Sequence, residues 1–165
     1  MAETTSSGSA RLTLPTDEQI LITREFDAPK HLVYRAYTEP ELVSRWWPGR
    51  RGAMKSAEID LRPGGAWRYV MIAHGGFEVA FHGEFREIVP DERIVNTEVY
   101  EGAPDPDAGA ALVTVTFAQH GERTTLTLLT EVSGKDVRDM IVESGMEGGM
   151  QEGMDLLEEL ARSLR

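Results

Sequence analysis

The sequence predicts an α+β fold: a curved antiparallel sheet wrapped around a long C-terminal helix, with two short helices after the first strand. Three observations carry this prediction. From Lys55 to Glu131 apolar and polar residues alternate with period two between short turn sequences. The C-terminal segment switches to apolar residues every three or four positions, at Met146, Met150, Met154, Leu157 and Ala161. The connections between the alternating runs are too short for the crossovers that parallel strands need, which leaves a meander.

Met1 to Ala10 is rich in Ser, Thr and Gly and has no apolar h-region, so it does not read as a signal peptide. Residues 1–17 are expected to be disordered or loosely attached, and residues 18–165 to form a single ligand-binding domain. Ile20 to Phe26 reads as the first strand. Asp27 offers an N-cap and Pro29 suits a first helical turn, after which Val33, Ala36 and Tyr37 share one face. Thr38 would cap a second short helix that runs to Trp46-Trp47 and stops at Pro48-Gly49.

Six strands are expected next, at Lys55–Leu61, Ala66–Ala73, Phe77–Ile88, Arg93–Tyr100, Ala111–Ala118 and Thr124–Glu131. Their connectors hold Arg62-Pro63-Gly64-Gly65, Gly75-Gly76, Pro90-Asp91 and His120-Gly121-Glu122, all turn chemistry. Glu101–Ala110 is expected to be the longest and most mobile loop. Ser133 and Asp136 give a capping signal for the terminal helix. Gly145, Gly148, Gly149 and Gly153 interrupt that helix, each costing up to about 1 kcal/mol against alanine. A kink, or close backbone approach to a neighbour, has to compensate.

At 165 residues and 41% hydrophobic content the chain can bury a core and still enclose a pocket. No apolar run approaches the roughly 20 residues of a membrane span. The lack of cysteine removes disulfides, thiolate metal sites and thiol nucleophiles, and a cytoplasmic, bacterial-type protein is the expected setting. A net charge of −11 argues against nucleic acid as a partner. The charge is uneven: residues 45–68 carry six basic and two acidic side chains, and residues 84–107 carry eight acidic and two basic. Arg45, Arg50, Arg51 and Arg62 are either solvated surface or an attractor that draws an anionic ligand towards the tryptophans.

Several segments together resemble one family. They are the Asp27-Ala28-Pro29 helix start, Trp46-Trp47, Asp60-Leu61-Arg62-Pro63-Gly64-Gly65-Ala66-Trp67-Arg68 and Val89-Pro90-Asp91-Glu92-Arg93-Ile94-Val95. Val113-Thr114-Val115-Thr116-Phe117 and Gly145-Met146-Glu147-Gly148-Gly149-Met150 complete the set. The chain, over about residues 18–163, resembles the START-like (SRPBCC) helix-grip superfamily, in the branch homologous to the activator of the ninety-kilodalton heat-shock-protein ATPase. That resemblance implies a hydrophobic cavity between sheet and C-terminal helix. The superfamily also holds polyketide cyclases and lipid carriers.

The candidate ligand contacts are Trp46, Trp47, Trp67, Tyr69, His82, Asn96, Glu98, Tyr100, Met146 and Met150. Adjacent tryptophans tend to shape a wall, and methionines adapt to ligands of different shape. In strand 77–88, His82, Glu84 and Arg86 alternate with Phe81, Gly83 and Phe85; in strand 93–100, Asn96, Glu98 and Tyr100 alternate with Val95, Thr97 and Val99. Unbulged pairing would set Glu84 opposite Glu98 and His82 opposite Tyr100, all on one face. One bulge reverses that relation, so the inward face stays open here. Were the polar set inward, His82, Glu98 and Tyr100 would be candidate catalytic residues, with His82 or Glu98 as general base.

No third ligand accompanies His82 and Glu84, so neither metal nor cofactor is expected. The leading expectation is binding of a small hydrophobic molecule, aromatic or anionic among the options. A cofactor-independent cyclase or dehydratase of the polyketide-cyclase type is the second, and a co-chaperone-like interaction module the third. A homodimer is compatible with the chain, though no residue specifies one. An enzyme should place a Glu or His of perturbed pKa in the pocket, a carrier should show an apolar pocket with few polar groups, and an interaction module a filled cavity with an exposed apolar patch.

Overall fold

The structure, a computed structural model, describes residues 3–5, 10–102 and 110–165. Much of the expected loose lead-in, and the expected loop beyond Gly102, lie outside the described residues. Along the chain come β1 (Glu3–Thr5), β2 (Arg11–Leu14), β3 (Gln19–Phe26), α1 (Lys30–Thr38) and α2 (Pro40–Val43). Then follow β4 (Gly52–Ile59), β5 (Ala66–Ala73), β6 (Glu78–Val89), β7 (Arg93–Tyr100), β8 (Ala111–His120) and β9 (Arg123–Glu131). The chain closes with α3 (Lys135–Glu143) and α4 (Met146–Ser163). The strands form one antiparallel sheet in the order β1-β2-β3-β9-β8-β7-β6-β5-β4. This is the α+β helix-grip arrangement that the alternation and the terminal stripe predict.

The helix is held to the sheet by packing and by one buried cation. Met154, Leu157, Leu160 and Ala161 of α4 join Ile20, Ile22, Phe26, Val115, Phe117 and Leu126 in the core. Arg24 shares the inward row of β3 with Ile20, Ile22 and Phe26 and is only 4% exposed. Its Nη2 donates to Asp155 at 2.8 Å, Glu158 lies 3.5 Å from Nη1, and the guanidinium sits 4.8 Å from the Phe26 ring centre. A buried cation needs this company: breaking such a pair costs about 3–5 kcal/mol because the remaining charge is stranded.

Several local expectations need correction. Residues 10–14 are not loosely attached. Ala10 and Leu12 are fully buried, β2 pairs with β3, and the Gln151 side chain bridges the Ala10 N–H (3.1 Å) and carbonyl (2.8 Å). Pro29, not Asp27, precedes α1, because Asp27 is turned towards α4 and its backbone N–H donates to Glu158 at 2.9 Å. Thr38 does not cap α2; its hydroxyl donates back to the Tyr34 carbonyl at 2.8 Å, and Glu39 takes the cap position. Gly134 rather than Ser133 precedes α3.

The second helix stops at Val43, and turns carry the chain through Trp46 and Trp47, whose N–H groups both reach the Val43 carbonyl. The terminal glycines divide their labour. Gly145 takes a left-handed φ of 84° and breaks α3 from α4. Gly153 lets α4 approach the Trp46 carbonyl, which a Cβ there would meet at 3.2 Å.

Gly83 in β6 is equally constrained. Trp67 pairs opposite it, and the indole crosses the glycine to donate to the Thr97 carbonyl at 3.1 Å. A Cβ at this position would lie 1.9 Å from that carbonyl oxygen and 2.6 Å from the Trp67 nitrogen. Overpacking of this kind costs about 1–3 kcal/mol, and here the obstacle is backbone. Gly83→Ala should lower stability by about 2 kcal/mol or more in urea unfolding; an unchanged midpoint would contradict the packing described.

Candidate functional site

The inward face is decided between β6 and β7. Phe85 pairs with Asn96 but Glu87 pairs with Val95, which leaves Arg86 as one extra residue in β6. Beyond the bulge, Phe81 stands opposite Tyr100 and His82 opposite Val99. The inward set is therefore mixed: Phe81 and Phe85 come from β6, and Asn96, Glu98 and Tyr100 from β7. The row continues through Trp67 and Tyr69 of β5, Ala111 and Val113 of β8, Leu128 and Thr130 of β9, and Ile20 and Ile22 of β3. Tyr37 of α1, the Trp46-Trp47 turn and Met146, Met150 and Met154 of α4 close the space.

These residues surround a cavity of about 670 Å³, within the size range of small-molecule sites. One wall is a run of aromatic rings. Trp67 lies 4.8 Å from Tyr69, Tyr69 5.2 Å from Trp47, Trp47 5.3 Å from Phe81, and Phe81 5.1 Å from Tyr100, centroid to centroid. Both Trp47 contacts are edge-to-face, the arrangement that ring quadrupoles favour. Leu61, Tyr100 and Met140 line the cavity and are also exposed, which marks its mouth.

Glu98 is the one charged side chain among the described residues that line the cavity. Burial pushes its carboxyl up from the ordinary 4.5 to about 7, and burial is the only cause acting on it. Its lateral neighbours on the inward face are small. Ala111 pairs directly opposite on β8, and the β6 register sets Gly83 level with it on the other side. The indole donors nearby are committed elsewhere, Trp67 to the Thr97 carbonyl and Trp46 to the Ala36 carbonyl at 2.9 Å. Asn96 likewise donates to the Thr97 carbonyl at 3.0 Å. Burial, with Glu98 close by, also raises the Tyr37 and Tyr69 phenols, so both stay neutral hydroxyls at ordinary pH.

Of the residues singled out from sequence, Trp46, Trp47, Trp67, Tyr69, Asn96, Glu98, Tyr100, Met146 and Met150 all line the cavity. His82 does not. The bulge turns it to the outer face, where it is exposed and its Nδ1 lies 2.9 Å from Glu101. Glu101 also accepts two hydrogen bonds from Arg68, both 2.9 Å, and these, with His82, hold its carboxyl down at about 2. His82 is thereby removed as a cavity base.

The basic segment also stays outside. Arg45 and Arg50 are exposed, Arg51 pairs with Glu152 at 3.5 Å and Arg62 with Asp60 at 2.9 Å, and none lines the cavity. Tyr37, Phe81 and Phe85 were not among the expected contacts. Tyr37 lay on the buried face of its helix by spacing, and the two phenylalanines sat in the alternating set opposite His82, so only the register was missing. Among the described residues no three His, Asp or Glu side chains gather as metal ligands, and no helix is long and apolar enough to cross a membrane.

The family model for Activator of Hsp90 ATPase homolog 1-like protein matches residues 27–162. The chain belongs to this family. Its fold is shared with solved structures from several bacteria. A Chromobacterium violaceum protein is 30% identical with a TM-score of 0.77, over 88% of this chain and 98% of that one. A Nitrosomonas europaea protein is 24% identical with a TM-score of 0.81, over 91% and 97%. A Rhodobacter sphaeroides protein is 21% identical with a TM-score of 0.82 over the whole of both chains. No curated protein matches the chain. Family membership carries the fold and its capacity to enclose hydrophobic ligands; the site of this family member has to be read from its own residues.

The raised carboxyl has a stability consequence with a definite sign. The folded protein binds the Glu98 proton more tightly than the unfolded chain, so stability is lost as pH rises from about 4.5 through about 7. Above that window the ionised carboxylate costs the fold roughly 1–3 kcal/mol, and below it nothing. Glu98→Gln should therefore raise the melting temperature at pH 8 and leave it close to wild type at pH 4.5. Equal effects at both pH values would contradict the burial of this group.

Proposed function

We propose that this protein binds a small hydrophobic molecule in the cavity between the sheet and α4. The observation that carries the reading is the cavity itself: about 670 Å³, walled by aromatic rings and methionines, with one ionisable acid inside. Burying an apolar ligand there would be favourable by about 25 cal/mol per Å² of surface removed from water. The few inward polar groups would fix orientation rather than supply affinity. The size of the cavity weighs against the interaction-module reading, which requires a filled interior. The position of Arg45, Arg50, Arg51 and Arg62 outside the cavity, with the last two paired to carboxylates, weighs against an anionic ligand.

A cyclase- or dehydratase-like activity is the second reading, and Glu98 is the observation in its favour. A carboxyl that titrates near neutrality inside an apolar site can accept a proton from a bound carbon acid. The neutral hydroxyls of Tyr37 and Tyr69 would be the donors available to a developing oxyanion. In this reading Glu98 replaces His82 as the base.

The binding reading is tested with the uncharged fluorophore N-phenyl-1-naphthylamine, whose emission rises in apolar surroundings. Wild type should give a saturable rise. Met150→Trp, which adds bulk to the cavity from α4, should weaken it at least about tenfold, a loss near 1.4 kcal/mol. Non-saturable emission in wild type, or undiminished affinity in a folded Met150→Trp protein, would overturn the reading.

A further inference from the structure

We infer that the ligand is an amphiphilic organic cation: a hydrophobic body along the aromatic wall, with one protonated amine seated against Glu98. This rests on the cavity reading and specifies the ligand class that reading leaves open. Its first support is the inventory of charge. The described residues lining the cavity include Glu98 and no Lys, Arg or His. An ionised Glu98 would repel a ligand carboxylate, and a neutral ligand would leave its charge uncompensated.

The second support is that Glu98 has no oppositely charged partner among the described residues lining the cavity. The fold pairs its other inward charge, Arg24, with Asp155 and Glu158. Among the described residues Glu98 has the Tyr37 and Tyr69 phenols within electrostatic range, and Ala111 and Gly83, its neighbours on the flanking strands, bring no charge to it. An ammonium group would supply the missing charge-assisted hydrogen bonds, which are among the strongest available in a dry site.

The aromatic wall suits the same chemistry. Ring faces carry negative quadrupoles that attract ammonium groups, and the effect grows when water is excluded. Tyr69 of β5, Trp47 of the turn after α2, Phe81 of β6 and Tyr100 of β7 form a continuous run of such rings along the same cavity. The net charge of −11 adds a long-range field that draws cations towards the protein.

The pH dependence follows. The titratable groups lining the cavity besides Glu98 are Tyr37 from α1, Tyr69 from β5 and Tyr100 from its own strand. Selectivity for the cation should thus track the Glu98 carboxyl, rising as pH increases through about 7.

The test is calorimetric titration of the full chain with three probes of one shape: 4-phenylbenzylamine, 4-phenylbenzyl alcohol and 4-phenylbenzoic acid. At pH 8 the amine should bind wild type roughly tenfold or more tightly than the alcohol, the gain expected of a charge-assisted contact. The acid should bind more weakly than either. In Glu98→Gln the advantage of the amine over the alcohol should vanish. Equal amine and alcohol affinities in wild type, or an amine preference that survives in the folded variant, would overturn the inference and leave the cavity reading standing. Failure of all three probes, with N-phenyl-1-naphthylamine also unbound, would overturn both.

Discussion

Arg86 stands unpaired between Phe85, opposite Asn96, and Glu87, opposite Val95, and the chemistry of the interior depends on that extra residue. Side chains alternate along a strand, so one inserted residue exchanges which set of β6 accompanies a given set of β7. With the bulge, Phe81 and Phe85 line the interior beside Asn96, Glu98 and Tyr100, and His82 joins Glu101 and Arg68 outside. Without it, His82 and Glu84 would share the face of Glu98. Arg86 would join them, and Glu98 would no longer be the one charged side chain on the inward face.

The fold treats Arg24 and Glu98, both on inward rows of the sheet, oppositely. Arg24 is surrounded by Asp155, Glu158 and the Phe26 ring, and so serves to lock α4 onto β3. Glu98 is left with small neighbours on the flanking strands and an upward-shifted carboxyl. Burying a charge without pairing it is among the more destabilising arrangements a sequence can adopt. A fold that pairs one and exposes the other to a cavity separates an architectural charge from one available to a ligand. The aromatic wall and the methionines of α4 complete the same division, with shape supplied by the rings and adaptability by the thioethers.

Much of this was legible in the chain. The strands from β5 to β9 follow their alternation closely, and the methionine stripe marks the helix they grip. Most of the cavity wall follows as well, since tryptophans at a helix–sheet junction and a stripe of methionines have few places to go but inward. The missed features are local competitions that alternation does not encode. Arg11-Leu12-Thr13-Leu14 is too short a run to stand out from a Ser/Thr-rich surrounding, and it is held by Gln151 from the far end of the chain. Asp27 and Thr38 have the chemistry of caps, but the Asp27 carboxylate faces Arg123, Arg162 and Arg165 and the Thr38 hydroxyl bonds the Tyr34 carbonyl. The bulge leaves no mark in composition, so His82 and Phe81 could not be ordered by face before the register was known.

The site depends on an unpaired carboxyl among the apolar residues of the cavity, and titration of that carboxyl tests it most directly. In ligand-free protein carrying 13C-labelled glutamate, with Glu98→Gln to assign the resonance, the Glu98 carboxyl should titrate at about 7. A midpoint at the ordinary 4.5 would mean that water or a partner already satisfies the group, and the account of the site would fail with it.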